Sequence, residues 1–231
     1  MITDFIRERL RSEQEVGATK FRVFLQNQEF ADSVYRTAIE SILTEVLKSA
    51  NPDAEFIVLK DPYLVHYLGV VERLLSWPIR KVCIVRDPRD AIASYINVGI
   101  RNGARPHIHE AIQFMAPFYP PVLAEQNGDG STLTIRYEDL VLKDQATQRR
   151  LSEHVGYTVD LKSYGGMAAE LLDTKDAWYT PLLGKGIDAS SIRLFERVIS
   201  WDEYHLINET FRDVLATFYT DALGSSDDLI I

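Results

Sequence analysis

The segment Lys81-Val82-Cys83-Ile84-Val85-Arg86-Asp87-Pro88-Arg89-Asp90-Ala91-Ile92-Ala93-Ser94-Tyr95 constrains the fold more than any other part of this chain. Val82 to Val85 is an apolar run of strand length that ends on a charged turn. Pro88 suits a first helical turn, where a missing N–H costs nothing, and Asp87 stands where a capping carboxylate belongs. The segment therefore reads strand, tight turn, helix. Two further apolar runs, Phe56 to Leu59 and Leu133 to Tyr137, alternate with helical stretches. That alternation predicts an α/β chain, a parallel sheet with helices on both faces. Right-handed crossovers then bring the C-terminal ends of the strands to one edge, where ligands bind. Lys60, Arg86 and Tyr137 all fall at or beside such ends.

The helices are legible from spacing. Asp32 or Ser33 caps a helix to about Ser49, with Ile39, Ile42, Leu43, Val46 and Leu47 on one face. Asn51-Pro52-Asp53 stops it, and a second helix spans Leu64 to Leu75. From Gln145 onward the chain reads as mostly helical, with a glycine-containing loop at Leu183-Gly184-Lys185-Gly186 and a long final helix from Trp201 to Leu223. No repeat or Gly/Ser linker divides the 231 residues, so residues 1–231 are expected to form a single domain.

Charge narrows the function. The chain carries a net charge of −9, which argues against nucleic acid as a partner. Between Ile79 and Pro106, however, six Arg or Lys stand against two Asp. A basic island in an acidic chain points to a focused anion site. Arg86 can offer a bidentate guanidinium there, and Ser94, roughly two helical turns on, can add a hydroxyl. The helix start contributes its positive dipole end. The competing reading is an arginine that merely pairs with Asp87 or Asp90. The single Cys83 cannot form an internal disulfide, and the N-terminal residues 1–14 are amphipathic without a long apolar core. Both fit a cytoplasmic protein with no membrane association.

Taken in order, these motifs resemble the sulfotransferases that use 3′-phosphoadenosine 5′-phosphosulfate. Lys60-Asp61-Pro62 is similar to the family's Lys-x-Pro strand end, and Arg86 through Ser94 to its Arg-Asp-Pro-Arg-Asp-x-x-x-Ser motif. Tyr137-Glu138-Asp139-Leu140 and Leu151-Ser152-Glu153-His154-Val155-Gly156 resemble segments that follow. The likeness covers residues 30–160, with 161–231 as a helical C-terminal part. It implies a P-loop-like nucleotide fold in which Arg86 and Ser94 hold the donor's 3′-phosphate and Tyr137 lies near the adenine. Lys185-Gly186 resembles a late loop that meets the same phosphate. Lys60 would face the sulfuryl group and neutralise its growing charge. The product nucleotide would be adenosine 3′,5′-bisphosphate, and the acceptor a small molecule, saccharide or peptide bearing a hydroxyl or amine.

Two family features have no counterpart in the sequence. The first strand and the Gly-rich loop that cradles the 5′-phosphosulfate are missing or degenerate. The one upstream strand candidate, Phe21 to Gln26, is followed by Asn27-Gln28-Glu29-Phe30, without glycine. The general base is also unassigned, with Asp61, His66, His107 and His109 as candidates by proximity. His107 and His109 lack a third ligand at useful spacing, so no metal is expected. Two rival readings follow. One is a non-catalytic relative that binds nucleotide weakly or a protein partner, and the other is a small-molecule kinase of the P-loop class.

Overall fold

The computed structural model describes residues 28–50, 53, 55–56, 58–126, 130–161 and 189–220. Lys185 and Gly186 lie outside the described residues. The chain divides into two compact units between Ile79 and Arg80.

In the first unit, helix α1 (Gln28–Ala50) packs against α2 (Leu68–Leu74), which continues from a 3-10 helix (Pro62–Tyr67). The small core is Ile39, Leu43 and Leu74, closed by Tyr35, Tyr67, Val70, Val71, Leu75 and Trp77. Ile39 and Leu43 stand four residues apart, on one helical face as their spacing predicts. Polar ties support the packing. Arg36 Nη2 donates to the Arg73 carbonyl at 2.7 Å, and Glu40 Oε1 accepts from the amide and the hydroxyl of Ser76 at 2.6 and 2.7 Å. Asp61 caps the 3-10 helix by accepting from the Tyr63 amide at 2.8 Å. The strand expected at Phe56 to Leu59 is not observed: Phe56 and Val58 to Lys60 carry no strand pairing, and Val58 is 79 % exposed. A parallel strand exists only where neighbouring backbones take its N–H and C=O groups, and this unit has no strand among its described residues.

The second unit holds the sheet. Strands β1 (Lys81–Val85) and β2 (Thr132–Arg136) pair in parallel, with Lys81 opposite Thr132 and Val85 opposite Arg136. Between them run α3 (Pro88–Arg101), α4 (Ile108–Met115), a 3-10 turn (Ala116–Phe118) and α5 (Tyr119–Gln126). After β2 come α6 (Tyr137–Val141), α7 (Gln145–Val155), α8 (Phe195–Val198), α9 (Trp201–Thr210) and α10 (Arg212–Phe218). The chain is thus helix-rich α/β with a two-stranded parallel sheet among the described residues.

Helix α3 is the buried axis of this unit. Pro88 opens it and the Asp87 carboxylate caps it by accepting from the Arg89 amide at 2.9 Å. Ile92, Ala93 and Ile96 are fully buried, and the helix packs on α4, α8 and α9. At its far end the chain turns back so tightly that a Cβ on Gly99 would overlap the Pro106 ring and lie 2.8 Å from the Ala104 carbonyl. Helices α5 and α7 pack on β2. Gly156, at φ 85°, closes α7 in the left-handed conformation that glycine adopts without strain. The final helix read from sequence is broken in two at Phe211, whose ring sits 5.1 Å from that of Tyr119.

Candidate functional site

The site forms where β1 ends. A strand terminus leaves carbonyls that no partner strand takes, and two tyrosines meet them here. Tyr119 donates to the Arg86 carbonyl at 3.1 Å, and Tyr219 to the Val85 carbonyl at 3.2 Å and to Glu138 Oε2 at 2.8 Å. The other oxygen of Glu138 accepts from the Asp87 amide at 3.0 Å. Burial, reinforced by Asp87, pushes the Tyr119 hydroxyl well above its ordinary pKa; burial and then Glu138 do the same to Tyr219. Both therefore stay protonated and act as donors. The backbone that carries Arg86 is held on both sides.

The two arginines of the motif do different work. Arg89 folds back onto Asp87, with Nε 2.9 and 3.1 Å and Nη2 2.5 Å from its carboxylate oxygens. Its guanidinium lies over the rings of Phe195 and Tyr204, at 5.0 and 5.8 Å. Arg89 is 3 % exposed and serves the interior. Arg86 is half-buried and does not pair with Asp87 or Asp90 through a hydrogen bond or ion pair. Its guanidinium lies 4.9 Å over the Tyr137 ring, and Nη2 donates to the Ser191 carbonyl at 3.1 Å. The Tyr137 and Ser191 hydroxyls are 2.9 Å apart. The buried Arg86 Nε finds no acceptor among the described residues. The Nε atoms of Arg36 and Arg136 are likewise without an acceptor among the described residues, but Arg86 alone of the three stands at the end of β1.

Of the residues singled out from sequence, Arg86 and Tyr137 are brought into contact. Ser94 sits half-buried on α3, in the helix that the Arg86 turn opens, and its hydroxyl makes no hydrogen bond among the described residues. Lys60 lies exposed in the first unit, on the extended segment before Asp61. His107 caps α4, and its ring centroid is 5.5 Å from that of His109. No group of three or more His, Cys, Asp or Glu among the described residues is arranged to hold a metal ion. No helix among them is long and apolar enough to cross a membrane.

Sequence reasoning missed Ser191, Glu138 and Tyr219. Glu138 lay inside the Tyr-Glu-Asp-Leu motif and is 5 % exposed, a buried carboxylate that needed an explanation. Ser191 had no local signal, because its partner Arg86 is 105 positions away.

No curated protein and no solved structure matches the chain. The model of the sulfotransferase family matches residues 2–160, a span that takes in the strand, turn and helix around Arg86 and the Tyr137 segment. With more than half of its length accounted for in this way, the chain belongs to the sulfotransferase family.

Proposed function

We propose that the protein transfers a sulfuryl group from 3′-phosphoadenosine 5′-phosphosulfate to a hydroxyl or amine acceptor. In this reading Arg86, Ser94, Tyr137 and Ser191 receive the 3′-phosphate end of the nucleotide. The observation that supports it is the buried Arg86 Nε–H, which no described residue accepts, on a guanidinium flattened over an aromatic ring. Such a group favours a multiply charged oxyanion over a neutral ligand. Tyr137 and Ser191 bring two hydroxyls to the same place, suited to phosphate oxygens or ribose. The roles of Lys60 at the transferring group and of Lys185 and Gly186 at the phosphate rest on their match to the family motifs.

The test is calorimetric titration with adenosine 3′,5′-bisphosphate. Wild type binds, Arg86→Ala loses at least roughly tenfold in affinity, the loss of one charge-assisted contact, and Lys60→Ala binds normally while losing turnover. Absence of bisphosphate binding by the wild type overturns the proposal. A second reading, a family member that binds nucleotide without transfer, follows from the sequence expectation that the Gly-rich loop is missing or degenerate. Tight bisphosphate binding with no sulfated product from a panel of phenols, sugars and amines would select it.

A further inference from the structure

The third acidic residue around the site is Asp90, 2 % exposed in the first turn of α3. Among the described residues it makes no ion pair, although the charge of Arg86 acts on it. Its Oδ2 accepts from the Arg193 amide at 2.8 Å and its Oδ1 from the Phe195 amide at 3.1 Å, across 103 and 105 positions of sequence. Arg193 belongs to the turn that precedes α8, and Phe195 is the first residue of that helix. Burial pushes the Asp90 carboxyl up in pKa, and the Phe195 and Arg193 amides and then the charge of Arg86 oppose that shift. Burying a carboxylate is costly unless its oxygens are hydrogen-bonded, so Asp90 and the two amides depend on one another.

Two residues before Arg193 stands Ser191. Ser191 presents its carbonyl to Arg86 and its hydroxyl to Tyr137 from the same turn. The turn is not one the backbone prefers: Arg193 sits at φ 57°, a left-handed conformation disfavoured for any residue with a Cβ. Left alone, the segment would relax and Ser191 would move. Asp90 bonds the amides of the strained residue and of the one two places on, which fixes the turn from below.

We propose that Asp90 is a positioning residue for the anion site, its carboxylate clamping the turn at 191–195 so that Ser191 faces Arg86 and Tyr137. The proposal rests on the reading of these three residues as the nucleotide site. It assigns the two Asp residues of the Arg-Asp-Pro-Arg-Asp motif to separate tasks: Asp87 caps the helix and neutralises Arg89, whereas Asp90 aims a distant turn.

The experiment has two readouts. Hydrogen exchange of the ligand-free protein reports the clamp directly. In Asp90→Asn, whose amide can accept only through one oxygen, the Arg193 and Phe195 amides lose protection while the α3 amides from Ile92 to Ile96 keep theirs. Calorimetry with adenosine 3′,5′-bisphosphate reports the consequence. Asp90→Asn weakens binding by roughly tenfold, Asp90→Ala by more, and adding Ser191→Ala to Asp90→Asn costs little further, because the displaced hydroxyl no longer contributes. Ile207→Val, a core change in α9, serves as the stability control and binds as wild type. Unchanged protection of the two amides in Asp90→Asn, or fully additive losses with Ser191→Ala, would overturn the clamp. Failure of the wild type to bind bisphosphate sinks the nucleotide reading instead, and the exchange pattern alone then decides for or against the clamp.

Discussion

Tyr219 reaches back across 134 positions to set its hydroxyl 3.2 Å from the Val85 carbonyl. The residue is 4 % exposed, and the same hydroxyl lies 2.8 Å from the buried Glu138 carboxylate. Tyr219→Phe keeps the ring and its contact with the Arg136 guanidinium, but leaves both acceptors short of a donor. The expected loss is about 1–3 kcal/mol of stability. Urea unfolding of the purified variant checks it.

Arg86→Lys is expected to behave nearly as badly as Arg86→Ala in bisphosphate titration. The planar fork lies over Tyr137 while donating to Ser191, and an ammonium reproduces neither the stacking nor the fixed angle between donors. A lysine variant within a factor of two of wild type would mean that charge alone matters. That outcome is measured in the same titration.

Gly99→Ala should destabilise although alanine is the better helix former. The gain in helix propensity is about 1 kcal/mol, whereas overlap with the Pro106 ring and the Ala104 carbonyl forces the chain reversal open. Overpacking of this kind costs about 1–3 kcal/mol. A lower midpoint in thermal unfolding is the expected result, and combining the change with Pro106→Ala should recover part of the loss.

Glu40 gives the first unit a dependence on acid. The amide and then the hydroxyl of Ser76 hold its carboxyl below the ordinary carboxylate range. A folded-state value under the unfolded one means that the contribution is present above the unfolded pKa, at about 4.3, and is lost as the pH falls through the folded value. Unfolding midpoints measured from pH 7 down to pH 3 should therefore fall less steeply in Glu40→Gln than in wild type.

Local chemistry explains what could be read in advance. Strand β1, the Asp87 cap, Pro88 and the helix behind them are written in consecutive residues, and they are found as expected. The apolar run at Phe56 to Leu59 carried the same signal without becoming a strand among its described residues, because strand pairing is a property of neighbours. Tyr137 was expected to end β2 and instead opens α6. The break at Phe211 could not be foreseen either: Trp201 to Phe218 has helical periodicity throughout, and tertiary packing of Phe211 overrides it. In the site, Arg86 was legible from its motif. Its partner was not, since a serine carbonyl brought in from residue 191 leaves no mark on the sequence around 86.

The parallel register of Lys81 with Thr132 also has a kinetic meaning. Neither strand can find the other through a short hairpin; three helices must first be threaded between them. Closing so long a loop carries an entropic penalty before any pairing is gained, which places the sheet late in folding and makes the nascent β1 edge vulnerable to intermolecular pairing during synthesis.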